Sequence, residues 1–186
     1  MEEEEEGRAN LILEASVGRP GELWLGDKHA AADPLRYGCT CVLNCAPTQV
    51  LRSASSSVVS YAEVDLKDAP MVCANGGTSF DDVSVHFASA KHFIDECLAN
   101  GRNVLVHCAG GVSRSATIVI SYLVSMTNGM PLSTAYAHCQ ARRSVIGVNA
   151  GFFNQLCELE EQVHGQATMA RALNMHQRVY KQLDKS

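Results

Sequence analysis

Cys108 and Arg114 enclose five residues, Ala109-Gly110-Gly111-Val112-Ser113, with His107 before them and Ser115 after. A thiol is a strong nucleophile once ionised, and a guanidinium fork matches two oxygens of a tetrahedral anion. Two glycines give the intervening backbone freedom to close a tight loop. In such a loop the amides of residues 109–114 can converge on one anion, most naturally a phosphate. A thiol facing several amide donors and a guanidinium is favoured as thiolate. The absence of any GxxxxGK[ST] pattern separates this loop from nucleotide-binding loops that pair a lysine with magnesium. The chemistry these residues suit is nucleophilic attack on a bound phosphate.

Elements on both sides must position that loop. Before it, NVLVHC (103–108) is short and almost continuously apolar, the pattern of a central strand buried on both faces. After it, SATIVISYLVSM (115–126) reads as a buried helix whose N-terminal dipole faces the anion. Upstream, LILEA (11–15) and LWLG (23–26) are two strands parted by Gly18-Arg19-Pro20-Gly21. DKHAAAD (27–33) is a short helix stopped before Pro34. TCVLNCA (40–46) and SYAEVDL (60–66) are two further strands, joined by a polar loop around RSASSS.

A long helix is expected from about Ser79. Val83, Phe87, Ala90, Phe93, Ile94 and Cys97 recur at helical spacing after Ser79-Phe80-Asp81-Asp82, and Asn100-Gly101 ends it. Helices over LSTAYAHCQARR (132–143) and from Gly151 follow, the latter continuing or breaking near Gly165. The alternation predicts an α/β fold, a single domain with a central, mostly parallel, twisted sheet flanked by helices. The expected division is an acidic disordered tail over 1–10, a catalytic domain over 11–164 and a C-terminal helical extension over 165–186. The extension rests on Met169, Leu173, Met175, Val179 and Leu183.

The 186 residues carry 15 basic and 20 acidic side chains, and five of the acids are Glu2 to Glu6. The body is therefore charge-balanced, which argues against nucleic acid or an anionic membrane surface as the main partner. No apolar run is long enough to span a bilayer. The start MEEEEEG is the opposite of a secretory signal, so the eight cysteines are expected to be reduced, in the cytoplasm or nucleus. Cys39, Cys41 and Cys45 lack the paired CxxC spacing of zinc sites and lie in an expected strand. Neither they nor His86, His92, His138, His164 and His176 form a ligand pattern, and no metal or cofactor is expected.

The stretch HCAGGVSRS resembles the HCxxGxxRS signature of the cysteine-dependent protein tyrosine phosphatases, and GVSRSA resembles their dual-specificity branch. GELWLGDKHAAAD and CTCVLNCA resemble that branch's opening strands and helix, and NAGFFNQLCELE its closing helix, so the likeness spans roughly residues 11–163. It implies that Cys108 attacks phosphorus to form a phosphocysteine. Arg114 with the amides of Ala109, Gly110, Gly111, Val112 and Ser113 would hold the equatorial oxygens. Ser115 would hydrogen-bond the sulfur and assist its departure, and His107 would orient the loop and favour the thiolate.

The resemblance also requires a general-acid aspartate in a loop after a strand. Asp68, seven residues after Tyr61, fits best, with Asp65 second. Asp81 and Asp82 read as first-turn acids of the long helix. The connection APMVCANGGTS (69–79) is longer than is usual in the branch. Asn149 resembles the family's asparagine that buttresses the active-site loops, with Val148 in place of a proline. Arg142 and Arg143 read as complements to a helix dipole. Cys45, at the end of its strand, is a candidate to trap oxidised Cys108 as a disulfide. The other cysteines read as buried thiols.

The uncharged Ala109, Val112 and Ser113 favour a phosphorylated protein, at phosphotyrosine and phosphoserine or phosphothreonine, over a phosphoinositide or RNA. The alternatives are a non-catalytic phosphoresidue-binding module, a phosphatase acting on a non-protein phosphate ester, and a thiol redox protein or arsenate reductase.

Overall fold

The computed structural model describes residues 8–51, 60–68, 71–72 and 78–171. The acidic run at 2–6, the RSASSS loop, Cys73 and the apolar positions 173–183 lie outside the described residues.

In chain order the strands are β1 (Ala9–Leu13), β2 (Leu23–Gly26), β3 (Cys39–Asn44), β4 (Ser60–Glu63), β5 (Met71–Val72), β6 (Thr78–Ser79) and β7 (Asn103–His107). The helices are α1 (Lys28–Ala32), α2 (Phe87–Ala99), α3 (Arg114–Ser125), α4 (Leu132–Arg142) and α5 (Ala150–His164). Five strands form one sheet in the order β1-β2-β7-β3-β4, parallel throughout except for β1 against β2. The apolar run at 103–107 occupies the centre, as its two-sided hydrophobicity predicts.

Helices cover both faces. On one, Ala30 and Ala31 of α1 pack with Ala9, Cys39 and Leu105. The other face buries the larger core, to which α2, α3, α4 and α5 all contribute. Every residue of α3 from Arg114 to Val124 is buried, which explains why that helix is apolar almost all round. Register pairs Gly26 and Asn44 each with His107, so β2, β7 and β3 end level. Ligands of open α/β sheets bind at such carboxyl ends, and Cys108 follows His107 there.

Four expectations change. The first strand starts at Ala9, so Asn10 belongs to the sheet and not to a tail. The long helix starts at Phe87, about two turns later than expected: Thr78–Ser79 pairs antiparallel with Met71–Val72, and a 3-10 turn over Ser84–His86 leads into α2. Asp82 accepts the Ser84 N–H at 3.0 Å in that approach, so neither Asp81 nor Asp82 is a first-turn acid of α2. Finally, α5 breaks at Gly165, whose φ is 76°, one of the two alternatives expected, but 165–171, the described start of the expected helical extension, are not helical. Thr168 instead bonds the buried Glu160, and Met169 packs on the core. All seven described cysteines are buried and free. No helix among the described residues is long and apolar enough to cross a membrane.

Candidate active site

The loop between β7 and α3 owes its shape to its carbonyls. Ala109 O accepts the Lys28 N–H at 3.2 Å, Val112 O the Gly147 N–H at 3.0 Å, and Ser113 O the Thr117 N–H at 2.8 Å. Between them, Gly110 O and Gly111 O accept Nη2 and Nε of Arg143, at 3.2 and 2.8 Å. Five successive carbonyls are thus held by partners other than Cys108. The Gly111 N–H points at Cys108 Sγ, 3.2 Å away. Gly111 has φ 64°, and a Cβ there would meet Arg143 Nη2 and Gly26 O, both at 2.6 Å, so no other residue fits.

Arg143 was expected to complement a helix dipole. It is instead 4% exposed, and its third contact, Nη1 to Asn10 Oδ1 at 2.8 Å, anchors it to β1. Two adjacent arginines at a helix end look alike in sequence, and only the fold distinguishes Arg143 from Arg142. No sequence signal marks Arg143, or Gln49 below, as part of the site.

Cys108 is buried and receives a second hydrogen bond from the Ser115 hydroxyl, at 3.2 Å. The first turn of α3 carries no side-chain cap, because the Ser113 hydroxyl is committed elsewhere. That leaves the helix dipole open toward the loop. The Arg114 guanidinium is 5% exposed; Nη2 donates to Gln49 Oε1 at 2.9 Å and Nη1 to Leu66 O at 3.4 Å. These contacts fix the plane of the fork beside the loop.

His107 is 1% exposed. Burial drives its pKa down to about 4, against the opposing effects of a hydrogen bond with the Cys108 backbone and the charge of Asp27. The ring is therefore neutral near pH 7. It hydrogen-bonds the Cys108 backbone and, uncharged, lends the sulfur no positive charge. Cys45 sits beside the loop, with its N–H bonded to His107 O at 2.8 Å. Burial, with a smaller push from Cys108, holds its thiol well above the ordinary range.

The candidate acids separate cleanly. Asp68 Oδ1 accepts from Ser113 Oγ at 2.6 Å and from Asn149 Nδ2 at 2.7 Å, and Oδ2 lies 3.8 Å from Arg114 Nε. Asp65 is exposed and, among the described residues, accepts only from Thr48 Oγ1, at 3.2 Å. Asp81 holds the acid loop: its carboxylate accepts the Lys67 N–H at 2.6 Å, and its carbonyl accepts Gln155 Nε2 at 3.0 Å. Phe80 lies over the start of α5, where a Cβ on Gly151 would come within 2.2 Å of its ring. Asn149 caps α5 by accepting the Phe152 N–H at 2.9 Å. The structure therefore gathers Cys108, Arg114, Ser115, His107 and Asp68 at one place and leaves Asp65 out. Among the described residues no cluster of three His, Cys, Asp or Glu side chains suits a metal ion.

Comparison with known proteins points the same way. The family described as dual specificity phosphatase, catalytic domain, matches residues 23–162. Human dual specificity protein phosphatase 14 is 39% identical over 134 residues, covering 71% of this chain and 61% of its own. The chain spans 33% to 61% of the length of the curated relatives it matches first. Among solved structures, human tyrosine phosphatase-like serine/threonine/tyrosine-interacting protein is 30% identical with TM-score 0.65, covering 83% of this chain and 96% of its own. A point variant of human DUSP28 is 27% identical with TM-score 0.67, covering 78% and 93%.

Proposed function

The chain belongs to the dual-specificity phosphatase family, and from that membership we propose that it hydrolyses phosphotyrosine and phosphoserine or phosphothreonine in proteins, without a metal ion, through a phosphocysteine on Cys108. One observation carries the proposal: Cys108 Sγ takes hydrogen bonds from the Gly111 amide and the Ser115 hydroxyl inside a loop whose five carbonyls are held by other partners.

Each residue then has a task. Cys108 attacks phosphorus; an S–P bond forms as the P–O bond to the leaving group breaks. The amides of residues 109–114 and the Arg114 fork bind the equatorial oxygens and the charge that builds there in the transition state. Protonated Asp68 delivers its proton to the departing oxygen, because an alkoxide is a poor leaving group, and as carboxylate it next takes a proton from the attacking water. Water oxygen bonds to phosphorus as the S–P bond breaks, and the Ser115 hydroxyl stabilises the departing thiolate. His107 stays neutral beneath the loop, and Arg143 and Gln49 position the loop and the fork.

The substrate reading rests on the rim. Ala109, Val112 and Ser113 are uncharged, and Val112 is apolar and exposed, a surface suited to a peptide flank rather than an inositol polyphosphate.

Turnover of an aryl phosphate, undiminished by a chelator, followed by phosphopeptides bearing each phosphoresidue, tests this reading. A chain that binds phosphopeptide but turns over neither is a binding module. One that prefers inositol phosphates or nucleotides is a phosphatase of non-protein esters.

A further inference from the structure

A second pair of thiols lies at the other end of the sheet. Cys41 on β3 is wholly buried, and Cys97 on α2 is 2% exposed. The two thiols neighbour each other in one buried cluster, with Ser60 and Arg102 beside Cys41. The backbone enforces this grouping. Cys41 pairs directly with Ser60 across β3 and β4, Arg102 Nη1 donates to Ser60 Oγ at 3.0 Å, and the Arg102 N–H bonds Cys97 O at 3.0 Å. Ser60 and Arg102, both half-exposed, flank the buried thiols. Cys45 lies four positions beyond Cys41, roughly 13 Å along an extended chain, so the pair is remote from Cys108.

We propose that Cys41 and Cys97 form an oxidation site that peroxide closes to a disulfide independently of Cys108. Cys41 sulfur attacks one peroxide oxygen; an S–O bond forms, the O–O bond breaks, and hydroxide leaves as water after taking a proton. Cys97 sulfur then attacks the sulfur of the Cys41 sulfenic acid. An S–S bond forms, the S–O bond breaks, and the hydroxide released takes the Cys97 proton. Two thiols lose two electrons and two protons, and one peroxide becomes two waters.

The charge environment sets the order of events. The neighbouring Cys97 thiol, aided by Ser60 and Arg102 against the opposing effect of burial, lowers the Cys41 pKa, and the same pairing raises that of Cys97. The Arg102 guanidinium, held beside Cys41 through Ser60, makes Cys41 the attacking thiolate and leaves Cys97 as the resolving thiol. Buried Cys139, pushed up to about 12 by its burial, is an internal control.

The test uses the full chain carrying Cys108→Ser, titrated with peroxide, then unfolded in N-ethylmaleimide and mapped without reduction. Peptides containing Cys41 and Cys97 should appear cross-linked, with their thiols lost at least ~10-fold faster than that of Cys139. In a Cys97→Ser variant, Cys41 should instead stop at a sulfenic acid that dimedone traps; should that variant not fold, the map of the Cys108→Ser chain decides alone. The proposal is overturned if Cys41 and Cys97 remain fully alkylated after a peroxide dose that consumes Cys108 in the unsubstituted chain. It is equally overturned if Cys41 is found paired elsewhere.

Discussion

Asn149 Nδ2 lies 2.7 Å from Asp68 Oδ1, while the oxygen of the same amide caps α5 through the Phe152 N–H. The cap fixes which end of the amide faces which partner, because only the oxygen can accept the backbone proton. One side chain therefore sets both the start of α5 and the position of the candidate acid. Ser113 completes the arrangement, donating to Asp68 at 2.6 Å and accepting the Asn149 N–H at 3.3 Å.

Asn149→Ser keeps a capping oxygen but cannot reach Asp68. Thermal unfolding should change little, whereas Asn149→Ala should cost about 1 kcal/mol through the lost cap. Both variants should lower kcat, and more for a phenyl phosphate than for a p-nitrophenyl phosphate, since protonation matters most for the poorer leaving group. Equal losses on the two substrates would show that Asn149 does not act through the acid.

Arg143→Ala strips donors from Gly110 O and Gly111 O, each loss costing about 1–3 kcal/mol if the carbonyl stays buried. Orthovanadate binding should weaken by roughly tenfold or more, on the 1.4 kcal/mol per decade scale. Arg143→Lys should rescue little, because a single ammonium cannot span two carbonyls and Asn10 together. Arg142→Ala, at an exposed position bonded only to His138 among the described residues, serves as the control and should leave vanadate affinity unchanged.

The neutral His107 makes folding sensitive to mild acid. Its pKa falls from 6.5 to about 4 on burial, so the unfolded chain takes up a proton that the folded chain resists. The His107 contribution is fully present above pH 6.5 and declines as pH falls toward 4, by roughly 3 kcal/mol in total. Urea midpoints at pH 7.5 and pH 4.5 should differ more for the natural chain than for His107→Asn, and parallel losses would refute this.

Glu160 is wholly buried, and its carboxylate accepts from the N–H groups of Leu132 and Thr168 and the Thr168 hydroxyl, each at 2.7 Å. Burial raises its pKa, but these bonds outweigh it and the net shift is downward. The stability it gives is present above pH 4.5 and is lost as pH falls through the folded value. Glu160→Gln sets an amide N–H against a backbone N–H, and calorimetry at pH 7 should register a loss of about 1–3 kcal/mol. An unchanged melting temperature would contradict it.

Much of this was legible in the sequence for a physical reason. The loop around Cys108 is local: glycine, arginine and flanking apolar runs reveal it without knowledge of the fold. Asp68 was legible through its place after a strand, and its contacts with Ser113, Asn149 and Arg114 follow from the folded arrangement. The start of α2 was not legible, because Val83 is wholly buried and so continues the apolar spacing although it precedes the helix. Arg143 and Gln49 were invisible because their partners lie 32 and 65 residues away in sequence. The use of Asn10 depends on β1 closing one edge of the sheet, which a short run of mixed polarity does not announce.

The central claim is that Cys108 carries the phosphoryl group. A rapid acid quench of the Asp68→Ala chain during a single turnover of an aryl phosphate, followed by mass spectrometry of its peptides, measures this directly. One phosphoryl group should be found, on Cys108, and none after Cys108→Ser. A phosphoryl group on another residue, or undiminished turnover by the Cys108→Ser chain, would contradict it.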